Sequence, residues 1–127
     1  MVLVDSSVWI ATVGVGFDDL LSGEEPVICP PIIQEVLQGA RTEREFRGMQ
    51  EIFRTMIVLD PRMSVELFEE AAKIFRLARY AGYTIRSKND CLIAACALKH
   101  GFPVLHEDRD FTAIARVTML EQRRLTN

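Results

Sequence analysis

Short apolar runs and longer stretches with apolar positions every three or four residues take turns along the whole chain. Val2-Leu3-Val4, Val27-Ile28-Cys29, Ile57-Val58-Leu59 and Pro103-Val104-Leu105-His106 are too short for helices and are cut off by Asp5, Pro30-Pro31, Asp60-Pro61 and Glu107. They predict strands that are apolar on both faces, and Val117-Thr118-Met119-Leu120 predicts a last one. Between them, Ser6-Ser7-Val8-Trp9-Ile10-Ala11 predicts a short helix that stops around Gly14 to Gly16, followed by a loop from Asp18 to Glu25. Pro31 suits a first helical turn, because its missing N–H would have no partner there, and Ile32, Ile33, Val36 and Leu37 supply the apolar face of a helix ending at Gly39. Phe46, Met49, Ile52, Phe53 and Met56 recur at helical spacing and predict a helix over 43–55.

The longest helix is predicted over 64–81, with Ser64 as its cap, Gly82 as its stop, and Val65, Phe68, Ala72, Phe75 and Ala78 as its buried stripe. Ser87-Lys88-Asn89-Asp90 has the spacing of a capping box and opens an apolar helix that ends at His100-Gly101. A short helix is predicted over 110–115. This order of strands and helices implies an α/β fold, a central parallel sheet covered by helices on each side in three α/β/α layers.

At 127 residues, 49% of them hydrophobic, the chain suffices for one core, so a single domain over 1–127 is expected. No repeat, low-complexity tract or linker interrupts it. The start shows no basic leader ahead of an apolar run, and the longest such run, Cys91 to Leu98, cannot cross a bilayer, which predicts a cytoplasmic protein with no membrane partner. Cys29, Cys91 and Cys96 are odd in number, without paired metal-binding spacing, and read as packed thiols.

A net charge of −3 argues against a protein that coats nucleic acid through bulk electrostatics, yet leaves room for a local basic patch. Arg41, Arg44, Arg47 and Arg54 are interleaved with Glu43, Glu45 and Glu51, the pattern of a solvated helix face with i,i+4 pairs. Arg86 and Lys88 have no acid between them and lie just before Asp90, which makes them candidates for phosphate contact.

The candidate chemistry is acidic. In an open parallel sheet the functional crevice lies beyond the carboxyl ends of the strands, where Asp5 and Asp108 both fall. Asp90 opens a helix, and Glu35 lies one turn into another, among Ile32, Ile33, Val36 and Leu37. Each acid alone also has an ordinary structural use: Asp5 and Asp108 can cap the helices that follow, and Asp90 can complete a capping box with Ser87. Together, like charges at such range repel by several kcal/mol at an effective dielectric near ~20 unless protons or a cation neutralise them. An all-oxygen donor set suits Mg²⁺ or Mn²⁺, whereas zinc calls for His or Cys; His100 and His106 show no paired spacing, and His106 reads as a packed, hydrogen-bonded residue. Water activated by such a metal can attack a phosphodiester in line, with one metal or with two. No Walker loop, G-x-G-x-x-G or G-x-S-x-G is present.

Four segments, in order, resemble the motifs of the PIN domain, and within it the VapC-type toxins of type II toxin–antitoxin modules. They are Val4-Asp5-Ser6-Ser7-Val8-Trp9-Ile10, Ile33-Gln34-Glu35-Val36-Leu37, Asn89-Asp90-Cys91-Leu92-Ile93-Ala94-Ala95, and Leu105-His106-Glu107-Asp108-Arg109-Asp110-Phe111. The resemblance implies an acidic metal site of Asp5, Glu35, Asp90 and Asp108, with Asp110 as a further acid that contends with Asp108 for the last ligand position. Ser6 or Ser7 would orient the carboxylates. It implies a Mg²⁺- or Mn²⁺-dependent endoribonuclease that cuts RNA and arrests translation and growth, a cognate VapB-type antitoxin that covers the site, and a toxin homodimer. Where the fourth motif often begins with Thr or Ser, this chain has His106. Phe46, Met49, Phe53 and Met56 could line an apolar partner groove, although packing inside is the stronger expectation for each of them. Two other readings stand beside this one: a PIN-like module that binds RNA or protein without cutting, and a magnesium-dependent phosphatase, which is weakened because Ser7 stands where those enzymes carry a second Asp.

Overall fold

The computed structural model describes residues 1–12 and 21–125. Five strands, β1 (Val2–Val4), β2 (Pro26–Ile28), β3 (Ile57–Val58), β4 (Val104–His106) and β5 (Gln122–Arg124), form one sheet in the order β3-β2-β1-β4-β5. Every neighbouring pair is parallel. The described helices are α1 (Ser6–Ala11), α2 (Pro30–Gln38), α3 (Glu43–Arg54), α4 (Val65–Tyr80), α5 (Lys88–His100) and α6 (Arg109–Val117). The predicted α/β fold with a central parallel sheet is the one observed. No helix among the described residues is long and apolar enough to cross a membrane.

Strand alternation explains why the sheet is covered on both sides. Leu3 and Val104 face a large core built from α2 to α6, while Val2, Val4 and Leu105 face a smaller one with Val8 and Leu21. Helix ends follow their capping chemistry. Thr42 and Ser64 accept hydrogen bonds from the N–H groups of Glu45 and Leu67 at the starts of α3 and α4. Gly101 ends α5 in the left-handed region at φ +71°, which a side chain would strain. The Arg47–Glu43 pair on α3 is exposed, in keeping with the solvated face predicted there.

Two expectations need correction. The last strand is Gln122–Arg124: Val117 completes α6, and the strand pairs with β4 through Val104, Leu105 and His106. The buried stripe of α4 is Leu67, Ala71, Ile74 and Ala78, so that of the predicted stripe only Ala78 is buried, Phe75 is partly covered, and Val65 and Phe68 are 73% and 54% exposed. Of the residues that could line a groove or pack inside, Phe53 is core and Met49 and Met56 pack against it, while Val65, Phe68, Leu77 and Tyr80 leave exposed apolar surface on α4. The predicted stop of α1 around Gly14 to Gly16 and part of the loop after it lie outside the described residues; α1 itself closes at Thr12.

Candidate active site

From β1 the chain proceeds outward through β2 and β3, then returns to the other side of β1 with β4 and β5. The strand order thus reverses between β1 and β4, and it is beyond the carboxyl ends of strands so placed that open parallel sheets carry their functional crevice. Asp5 follows β1 directly, and its N–H donates to the Leu105 carbonyl at 3.0 Å, which ties it to β4. Asp5 also caps α1 by accepting the Ser7 N–H. Asp108 caps α6 by accepting the Asp110 N–H at 3.0 Å. Both acids do the structural work foreseen for them and still face the crevice.

Asp90 does not. The capping box at the start of α5 is not formed: Ser87 is the N-cap residue, but its side chain makes no cap bond. Its N–H, with that of Arg86, donates instead to Asp110 Oδ2, at 3.0 and 2.9 Å. Asp90 is thereby released from any capping duty and points inward, 2% exposed, as is Asp5; Asp110 is 3% exposed. Carboxylate oxygens of Asp90, Asp108 and Asp110 lie within 4.8 Å of one another.

Serines and an asparagine hold the acids in place. Ser7 Oγ donates to Asp5 Oδ2 at 2.5 Å and accepts the Glu107 N–H at 2.9 Å, joining segments a hundred residues apart. Ser6 Oγ donates to Glu35 Oε2 at 3.0 Å, and Asn89 Nδ2 approaches Glu35 Oε1 at 3.4 Å. Glu35 is partly buried, as its apolar neighbours predicted. His106 is fully buried; its Nδ1 accepts the Asp108 N–H, so the proton sits on Nε2 and is donated to Gln122 Oε1 at 2.6 Å. Burial, the nearby Arg124 charge aiding it, holds this imidazole neutral despite that bond.

The electrostatics single out two groups. Burial pushes the Asp5 carboxyl up to about 6 against the bonds from Ser7, with the Glu35 charge adding to the rise. Burial pushes Asp90 further, to about 10, with Asp5, Asp108 and Asp110 all contributing. Asp5 Oδ1 and Asp90 Oδ2 are buried with no hydrogen-bond partner. Buried carboxylate oxygens without partners are costly, and their convergence with other acids fits a divalent cation with hard oxygen ligands.

Asp110 was anticipated only as a spare ligand; its grip on the backbone before α5 spans 24 residues of sequence and leaves no local signal. Asn89 was quoted within a motif without a role. Asp110→Ala should cost about 2–3 kcal/mol in urea denaturation, because two backbone N–H groups lose their acceptor, while Asp110→Asn, which keeps an acceptor, should cost clearly less. Equal losses would refute this role. Arg86 and Lys88 are exposed beside the start of α5, and among the described residues neither side chain is in an ion pair.

Residues 2–117 match the PIN domain family. The chain is 38% identical to Ribonuclease VapC11 of Mycobacterium tuberculosis, with 95% of this chain and 96% of that protein covered. Its fold is that of the structure of VapBC-1 from nontypeable Haemophilus influenzae, with a TM-score of 0.76 at 16% identity and all of both chains covered. A toxin-antitoxin complex from Klebsiella pneumoniae superposes with a TM-score of 0.73 at 18% identity over 95% of this chain and 99% of that one. The four motifs, the reversal of strand order that gathers their acids, and the 38% identity make this chain a member of the PIN-domain family, in its VapC branch.

Proposed function

We propose that this chain is the toxin of a type II toxin–antitoxin module, a Mg²⁺- or Mn²⁺-dependent endoribonuclease that hydrolyses RNA phosphodiester bonds and so arrests translation and growth. The observation that carries the reading is the pair of buried, partnerless oxygens of Asp5 and Asp90, facing further acids at the end of the sheet. Asp5, Asp90 and Asp108 would hold the metal. Asp108 and Asp110 each commit one oxygen to backbone N–H groups and keep one for the cluster. When bound, the cation would neutralise charge on the scissile phosphate and lower the pKa of the attacking water.

Glu35 lies at the rim, its oxygens fixed by Ser6 and Asn89, where it can orient that water and take its proton. Ser6 and Ser7 keep Glu35 and Asp5 in register with the strand ends. Arg86 and Lys88 stand free at the crevice edge to receive flanking phosphates. A silent RNA-binding module would gain nothing from buried acids facing a polyanion.

The partners in this reading are RNA, a VapB-type antitoxin and a second toxin chain. Val65, Phe68, Leu77 and Tyr80 leave α4 with an exposed apolar face of a kind that marks interaction surfaces. A groove lined by Phe68, Ala72, Phe75, Arg76, Asn89 and Leu92 runs from that face to Asn89, the residue that holds Glu35. An apolar segment of an antitoxin seated there would end beside the acids and cover them.

Purified protein, freed of any partner, should cut total cellular RNA at discrete positions in Mg²⁺ or Mn²⁺, with EDTA abolishing every cut; mapped 5′ ends would name the substrate. An RNA pool left intact under all metals would overturn the proposal.

A further inference from the structure

Away from the acidic crevice, the loop after β3 meets the end of α5 in a second cluster of metal-ligating groups. Asp60 Oδ2 accepts from the Cys96 thiol at 3.2 Å and lies 2.9 Å from His100 Nε2. Ligand atoms of all three residues fall within 4.8 Å of one another. Donor atoms on a tetrahedral zinc stand roughly 3.3–3.5 Å apart, close to the two separations from Asp60 Oδ2, so that drawing Cys96 and His100 toward each other completes a coordinating arrangement. Cys96 and His100 occupy i and i+4 on one helix, the spacing that sets two ligands side by side. Counting the cysteines alone concealed that pattern.

The remaining contacts prepare the same geometry. Lys99 Nζ bonds Asp60 Oδ1 at 2.5 Å, fixing the carboxylate while Oδ2 stays turned toward sulfur and imidazole. Phe102 stacks on the His100 ring with centroids 5.9 Å apart, which sets its plane. Asp60 sits at φ +48°, a left-handed conformation that costs a residue with a side chain. Cys96 is fully buried, whereas the His100 side chain is 30% exposed and opens the cluster to solvent. The donor set is one sulfur, one nitrogen and one oxygen, unlike the all-oxygen set at the crevice.

We infer that Asp60, Cys96 and His100 form a second metal site, selective for zinc, that fastens the loop after β3 to the end of α5. On binding, the Cys96 thiol gives its proton to solvent as its sulfur takes the metal. His100 Nε2 gives up the proton it donates to Asp60 Oδ2, the ring keeping its proton on Nδ1, and Nε2 and Oδ2 then replace their mutual hydrogen bond with bonds to the ion. One thiolate and one carboxylate balance the charge of Zn²⁺, and water fills the fourth position on the open side. The helix so fastened is the one that carries Asp90 at its other end.

Cobalt(II) added to the purified full-length protein tests the site, because a thiolate ligand gives an intense charge-transfer band that oxygen ligands at the crevice cannot. The wild type should show that band at one equivalent, and Zn²⁺ should bleach it. His100→Ala should remove it and weaken zinc affinity about 100-fold or more against a chromophoric chelator. Cys96→Ser should do the same, and His100, the most exposed of the three, keeps the test valid if that variant folds poorly. Because Cys91 adjoins the crevice acids, Asp90→Asn is the control, and it should retain the band. No band in the wild type, a band surviving in His100→Ala, or a band lost in Asp90→Asn would each overturn the site.

Discussion

Asp90→Asn is expected to abolish RNA cleavage while making the metal-free protein more stable. Loss of one charged ligand should lower cleavage on the order of 10³-fold or more, since a site with fewer carboxylates holds the cation less tightly and positions it less well against the phosphate. The opposite effect on stability follows from the apo electrostatics. Burial first, then Asp5, Asp108 and Asp110, push the Asp90 carboxyl to about 10, so at neutral pH the folded protein keeps a proton that the unfolded chain has lost. An amide of the same shape needs no such proton. The gain should be about 1–3 kcal/mol at pH 8, several degrees in melting temperature, and should vanish near pH 4. A variant that loses cleavage and stability together would show Asp90 to be structural, and one with full cleavage would remove it from the metal site. Asp5→Asn should lose cleavage as fully but gain less stability, because the Asp5 carboxyl rises only to about 6.

The second large effect is a pH-dependent response to magnesium. For an acid whose folded pKa is raised, the unfolded state binds fewer protons above its own pKa, so stability falls as pH rises. In the metal-free protein that fall begins near pH 4, continues through the Asp5 range to about 6, and extends through the Asp90 range to about 10. Magnesium should reverse it by occupying the site as the carboxyls ionise. At a hundredfold excess over its dissociation constant the ion should add about 2.7 kcal/mol. Differential scanning fluorimetry at pH 8 should thus show a clear rise in melting temperature with millimolar Mg²⁺, and at pH 5, where protons compete for the same oxygens, a small one. Equal shifts at the two pH values would mean that the ion binds elsewhere.

How much of this was legible in the sequence depended on whether the signal was local. The ends of β1 and β4, with Asp5 and Asp108 just past them, could be read because an apolar run stops abruptly at a charge. The start of α2 was fixed by Pro30-Pro31. By contrast, Val65, Phe68, Ala72 and Phe75 keep helical spacing as well as Leu67, Ala71, Ile74 and Ala78 do, and only the packing of α4 on α5 and α6 chooses between the two faces. Strand β5 was missed for a related reason. Val117-Thr118-Met119-Leu120 has the β-branched, apolar character of a strand, but Val117 ends α6 and Met119 is 91% exposed. Gln122–Arg124 has the polar character of an edge strand, whose pairing comes from β4 and not from its own residues.

Within the site, residue types were readable and contacts were not. The resemblance named Ser6 or Ser7 as orienting groups, and each takes a different acid, Glu35 and Asp5 respectively. The Ser87–Asp90 capping box had the right spacing and failed because Asp110, across the fold, claims the Ser87 N–H. Local rules give way where a distant acid competes for the same donor.

The placement of β1 between β2 and β4 bears on when the protein becomes dangerous to the cell that makes it. β1 is made long before its partner on one side, which begins at Val104, and Asp108 and Asp110 follow that. A nascent chain or an aborted fragment ending before residue 104 therefore carries Asp5, Glu35 and Asp90 without the strand that brings them to their remaining partners. Contacts of such long sequence separation form late, so synthesis must pass residue 110 before the acids can meet. Strand order alone thus gives the cell a grace period, which lasts until β4 and the acids after it have been made.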